Sequence, residues 1–183
     1  MEDKLERTMA EYLNPVVMRE KLISASIYIA TFEALKKSIV SKIRFYYCLD
    51  DLKPCELYDK EVMSRNKSPV YASLDWLKEY EAITDADINN FEKIKNCRNE
   101  LSHNLFNLLG SRGLPQNFQT NFCELAELLH KIDIWWVINI EIPANPDFFG
   151  QEIDEAEIKV GSVLALKMLV DIALGEDDIA NSY

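Results

Sequence analysis

The chain has 183 residues, 48% of them hydrophobic and 28% charged, with only five glycines and six prolines. That composition fits one ordinary globular domain spanning residues 1–183 and excludes a turn-dense all-β architecture. Thirty-one acidic residues against twenty basic ones give a net charge of −11, which argues against broad, non-specific binding of nucleic acid.

The start, Met1-Glu2-Asp3-Lys4, is charged and no apolar core follows, so no secretory leader is expected. No apolar run approaches about 18 residues, so the reading is a cytoplasmic protein with no membrane partner. Asn14-Pro15 is a helix cap followed by proline at the first helical position, and Leu22, Ala25, Ile29, Phe32, Ile39 and Ile43 recur beyond it at spacings of three, four or seven. These predict one long amphipathic helix from Pro15 to Tyr47. The stretch 50–67 has no sustained period and reads as a loop with a helical turn.

Ser68-Pro69 repeats the cap-then-proline signal and opens a helix to about Ala82. Thr84 and Asp87 form a capping-box pair for a third helix, expected to run to Leu109 and stop at Gly110. A near-heptad stripe of Phe118, Phe122, Leu125, Leu129, Ile132 and Trp136 predicts a fourth helix from Asn117 to Ile140, ended by Pro143 and Pro146. A last helix is expected from Glu152 to Leu174, with acids in its first turn and Gly175 as its stop. Residues 176–183 then form an acidic tail, expected to be mobile and dispensable. The prediction is an all-α, up-and-down bundle of about five helices, the first, third and fourth long.

Cys48, Cys55, Cys97 and Cys123 show no metal-ligand spacing, and His103 and His130 are the only histidines. The cysteines read as reduced and mostly buried thiols, no metal site or cofactor is expected, and His130 reads as a surface histidine. Trp135 and Trp136 lie in a dense apolar run and read as core and dimer-contact residues.

The third helix departs from a plain amphipathic pattern. Its apolar stripe is Ile88, Phe91, Ile94, Leu101, Leu105 and Leu108, and Arg98 lies within the edge of that stripe. A guanidinium there needs an anion or a partner. At about 100° per residue the neighbouring arc carries Arg98, Ser102, Lys95, Asn99 and His103 in angular order, a polar strip with three potential cations. Residues 84–112 hold four basic and four acidic groups while residues 141–183 hold two and ten, so the acidity belongs to the C-terminal end.

The string Arg98-Asn99-Glu100-Leu101-Ser102-His103 reads R-N-x-L-x-H, an R-x4-H motif followed by apolar Leu105, Phe106, Leu108 and Leu109. It resembles the signature of the HEPN superfamily, small helical bundles that usually dimerise, many of them metal-independent endoribonucleases. The resemblance implies that Arg98 and His103 are the catalytic pair, with Asn99 as the polar residue that follows the arginine. Lys95 and Ser102 complete the strip as candidate RNA-binding residues. The resemblance also implies a toxin or phage-defence effector with an antitoxin or other inhibitor protein as partner. Leu105 stands where one toxin group carries a tyrosine modified by a partner nucleotidyltransferase, so that mode of neutralisation is not expected.

The chemistry suits those residue types. RNA carries its own nucleophile, the 2′-OH, which attacks the adjacent phosphorus once a base removes its proton. An imidazole can move that proton near neutral pH, and a guanidinium can stabilise charge on the phosphoryl oxygens. The products would be a 2′,3′-cyclic phosphate and a 5′-OH, with no metal required. Arg98 and His103 are five residues apart, hence about 140° apart on an ideal helix, so two copies packed about a two-fold axis would line one cleft more easily than one chain alone. The competing expectation is a non-catalytic dimeric adaptor of the same fold.

Overall fold

Asn14 caps the longest element. Its Oδ1 accepts from the backbone N–H of Val16 at 3.0 Å, and Pro15 follows at the first turn. Helix α1 (Pro15–Tyr47) then runs 33 residues in this computed structural model, which describes residues 14–48, 55–107, 113–151 and 153–174. Its buried stripe, Ala25, Tyr28, Phe32, Leu35, Ile39 and Ile43, advances by three or four residues, as a helix with one apolar face must. Leu22, expected on that stripe, is instead 39% exposed.

Four more helices of eleven residues or more follow: α2 (Pro69–Glu79), α3 (Asp85–Asn107), α4 (Phe118–Trp136) and α5 (Gly161–Leu174). There is no strand among the described residues. Helix α1 is the hub, packing against each of the other four, while α3 meets α4 and α4 meets α5. The core gathers Phe91, Ile94, Cys97 and Leu101 of α3 with Leu125, Leu129, Ile132 and Trp136 of α4. At one end Trp76 of α2 stacks on Trp136 with ring centroids 6.0 Å apart, and its indole N–H donates to the Tyr47 hydroxyl at 2.9 Å. That buried ring joins α1, α2 and α4. Trp135 meets it edge-on, and no described helix is long and apolar enough to cross a membrane.

Several boundaries differ from expectation, each for a local reason. Helix α2 ends at Glu79 rather than Ala82, because Glu81 turns left-handed (φ 58°) and Ala82 N–H reaches back to Leu77 C=O at 2.9 Å. That is a Schellman closure. The segment 55–67 is more helical than expected, with one α-turn (Glu56–Tyr58) running into a π-turn (Asp59–Met63). Pro143 does not end α4. The chain passes through a π-turn (Val137–Glu141) into a further α-turn (Ile142–Ala144), where Pro143 occupies a first-turn position and its missing N–H is not needed. Extended Asn145 ends the helical run.

Helix α5 begins at Gly161, nine residues later than Glu152. Upstream, Asp154 Oδ1 accepts from Ala156 N–H at 2.9 Å and Glu155–Glu157 form a 3-10 turn. Local capping by a short carboxylate side chain competes with helix there, and Ile153 and Ala156, three apart, both stay exposed. The expected stop of α3 at Leu109–Gly110 and the expected mobile tail 176–183 lie outside the described residues.

The cysteines require a correction. Cys48 and Cys55 are joined in a disulfide, their Cα atoms 5.9 Å apart, which is within normal bridging range. Cys97 is a buried thiol and Cys123 an exposed one. Spacing did not reveal the bridge because the approach depends on Cys48 ending α1 just where residue 55 returns to it. Closing a loop of this length is expected to stabilise the fold by about 2 kcal/mol. Urea unfolding with and without dithiothreitol, alongside Cys48→Ser, checks this: wild type in reductant and the variant should share one lowered midpoint, and an unchanged midpoint would mean the bridge contributes nothing.

Candidate functional site

The expected capping box sets the start of the helix that carries the motif. Asp87 Oδ2 accepts from Thr84 N–H at 2.7 Å, and Thr84 Oγ1 accepts from Asp87 N–H at 3.3 Å. Burial pushes the Asp87 carboxyl up, but hydrogen bonds from Lys131 and Thr84 outweigh it and hold its pKa below the usual value. With this end fixed, Phe91, Ile94, Cys97 and Leu101 face the core, and Arg98 falls at the margin between α3 and α1.

Arg98 is only 29% exposed along its side chain. Its Nη2 donates to Glu33 Oε1 of α1 at 2.7 Å, and its Nη1 donates to Asn99 Oδ1 at 3.4 Å. The guanidinium carbon lies 5.5 Å from the centroid of the Phe32 ring, a cation–π distance. The buried Nε has no acceptor. Of the five guanidinium hydrogens, two serve these bonds and one is orphaned, which leaves two on the Nη atoms for an incoming anion.

Glu33 is the residue that sequence reasoning missed. It also accepts from Lys36 Nζ at 3.3 Å. Burial pushes its carboxyl up, and the bonds from Arg98 and Lys36 together more than reverse that, leaving its pKa lowered. Nothing in the sequence ties Glu33 to Arg98, 65 residues away. A lone acid ahead of Lys36-Lys37 was the only local hint.

The remaining strip residues divide. Lys95 donates to Glu92 Oε2 at 2.7 Å and also to the Tyr71 hydroxyl, and Tyr71 donates to Glu92 Oε1 at 2.5 Å. These partners raise the Lys95 pKa and lower that of Glu92. Lys95 is therefore already engaged with a carboxylate. Asn99 is half-buried beside Arg98, whereas Ser102 and His103 are exposed with no hydrogen-bond partner among the described residues.

Helix α3 departs from helical geometry at Asn104 (φ −117°, ψ 18°), so His103 is the last residue before a kink. Arg98 and His103 both precede it and keep their helical offset. Arg98 faces α1 while His103 faces solvent, and the two do not meet within one chain. Neighbouring Cys97 faces the core, where burial pushes its thiol pKa up, which disfavours the reactive thiolate. His130 is exposed, as its place off the apolar stripe predicts.

Comparison of the chain with family models, with curated proteins and with solved structures finds no match.

Proposed function

We propose that the chain is a metal-independent endoribonuclease of HEPN type, acting as a homodimer in which Arg98 and His103 of two copies line one cleft. The observation that carries this reading is the placing of Arg98, fixed by Glu33 at 2.7 Å with donors to spare, on the helix that presents an exposed His103 with no partner among the described residues. In the proposed reaction His103 takes the proton from a 2′-OH, and the freed oxygen attacks the adjacent phosphorus. The 5′-oxygen leaves with a proton, returned by the second imidazole or by water, and Arg98 stabilises charge on the non-bridging oxygens. Glu33 and Asn99 act as positioning residues for the guanidinium. Ser102 and the already paired Lys95 lie within the strip, between Arg98 and Asn99 in angular order, as RNA contacts, and a toxin or phage-defence role with an inhibitor protein is the biological setting this chemistry suits.

The test is incubation of purified protein with single-stranded RNA in EDTA. Cleavage should persist in the chelator and leave 2′,3′-cyclic phosphate ends, identified by mass spectrometry. Loss of all cleavage in EDTA, or 3′-OH ends, would overturn the reading. A second reading, a non-catalytic dimeric adaptor, is favoured by one observation: Glu33 already compensates Arg98 without any substrate. That reading requires stoichiometric dimers that leave every RNA intact.

A further inference from the structure

Beyond Glu33, which holds Arg98 of α3, α1 carries a second set of features that the reaction does not use. Glu33, Lys37, Ser41 and Phe45 follow at every fourth residue, so they form one slowly winding ladder about 18 Å long. It begins at the partner of Arg98. From Lys37 onward its members line a cleft of about 1150 Å³ between α1, the end of α4 and the segment leading into α5.

The chemistry of this cleft is a mixture of cations and flat rings. Lys37 and Lys159 line it and have no acidic partner among the described residues. Lys42 reaches Asp133 at 2.8 Å and Glu141 at 3.9 Å, which neutralises the buried carboxylate in the cleft floor. Phe45 is 66% exposed with no ring packed against it among the described residues, and Tyr46 is 52% exposed beside it. Trp136, whose indole N–H is buried without an acceptor, forms part of the wall.

We propose that this cleft is a single-strand RNA subsite, in which a base stacks on Phe45 or Tyr46 while Lys37 and Lys159 meet the flanking phosphates. Exposed rings interleaved with lysines suit an unpaired strand, because every base offers a flat face and a duplex hides its own. The ladder leads from Arg98 to the rings, so a few nucleotides would span from the scissile phosphate to the stacked base. The proposal rests on the ribonuclease reading for that alignment and is tested apart from it. The net charge of −11 and the rim carboxylate of Glu141 make loose binding along a backbone unfavourable, so stacking carries most of the affinity and few phosphates are engaged.

The probe is a fluorescein-labelled ten-nucleotide 2′-O-methyl RNA, which has no free 2′-OH and so measures binding without cleavage. Fluorescence anisotropy should show binding by wild type, at least tenfold weaker binding by Phe45→Ala and by the Lys37→Ala/Lys159→Ala double variant, and at least tenfold weaker binding of the matching duplex. These side chains are exposed, and circular dichroism checks that each variant keeps its helices. Equal affinity of wild type and variants, equal affinity for the duplex, or no binding of the probe would each overturn the subsite. Probe binding with the expected losses but no cleavage of ordinary RNA would leave the subsite standing and remove the ribonuclease reading. Cleavage with unchanged probe affinity in the variants would do the reverse.

Discussion

Replacing Asp133 by alanine is expected to destabilise the fold by roughly 3 kcal/mol, because this carboxylate is 3% exposed and holds three elements together. It accepts from Ser38 Oγ at 2.9 Å and Lys42 Nζ at 2.8 Å, both on α1, and from Ser162 Oγ at the first turn of α5. Alanine leaves two hydroxyls and an ammonium without their acceptor inside or beside the core. The figure sits at the low end of the range for a broken buried pair, since Lys42 is 33% exposed and can rehydrate or turn to Glu141. For a chain of this length the melting temperature should fall by about 10 °C. Asp133→Asn keeps the volume and one acceptor oxygen, so it should lose less. A melting temperature unchanged in Asp133→Ala would mean that the network is not a source of stability.

That network also marks the limit of what could be read from the sequence. Asp133 lies one residue after Ile132 in an apolar run, and periodicity placed it on an amphipathic helix without indicating that it would be buried. Its partners come from residues 38, 42 and 162, brought close only when α1, α4 and α5 pack. Glu33 and Arg98 met in the same hidden way. Signals confined to a few residues did transfer: the Asn14-Pro15 cap, the Thr84–Asp87 box and the apolar spacing that gave α1 its bounds. Signals that needed a neighbour did not. Pro143 reads as a helix stop in one dimension, yet the π-turn before it resets the hydrogen-bond register so that a proline fits. The acids after Glu152 read as a favourable first turn, but Asp154 caps a single 3-10 turn locally and the helix waits until Gly161. The cysteine pair likewise depends on where α1 ends.

The candidate site was legible only as a pattern. The motif singled out Arg98, Asn99 and His103 as candidates, and the offset of about 140° is the ground for proposing two copies. The structure adds that Glu33 holds Arg98 against α1 and that His103 stands on solvent just before the kink at Asn104. It adds too that Lys95 reaches Glu92 and Tyr71, so that cation is not unpaired for phosphate.

His103→Ala is expected to lower RNA cleavage by about 10²–10⁴-fold, the range for losing a general base, and Arg98→Ala by about 10²–10³-fold, the range for losing a preorganised donor to a developing anion. The informative experiment mixes the two inactive proteins after brief dissociation. In a mixed dimer one chain supplies His103 and the other supplies Arg98, so one of the two symmetry-related pairs is whole again. Random reassortment makes half of the dimers mixed, each with half of its pairs intact, and about a quarter of wild-type activity should return. A site complete within each chain would give a mixture as inactive as its parts. Full activity of Arg98→Ala alone would confine Arg98 to its ion pair with Glu33 and remove the catalytic reading. Glu33→Gln separates the remaining possibility. If the carboxylate aims the guanidinium, the variant should lose kcat while KM for RNA holds, because the donors remain but point less accurately at the charge that develops in the transition state.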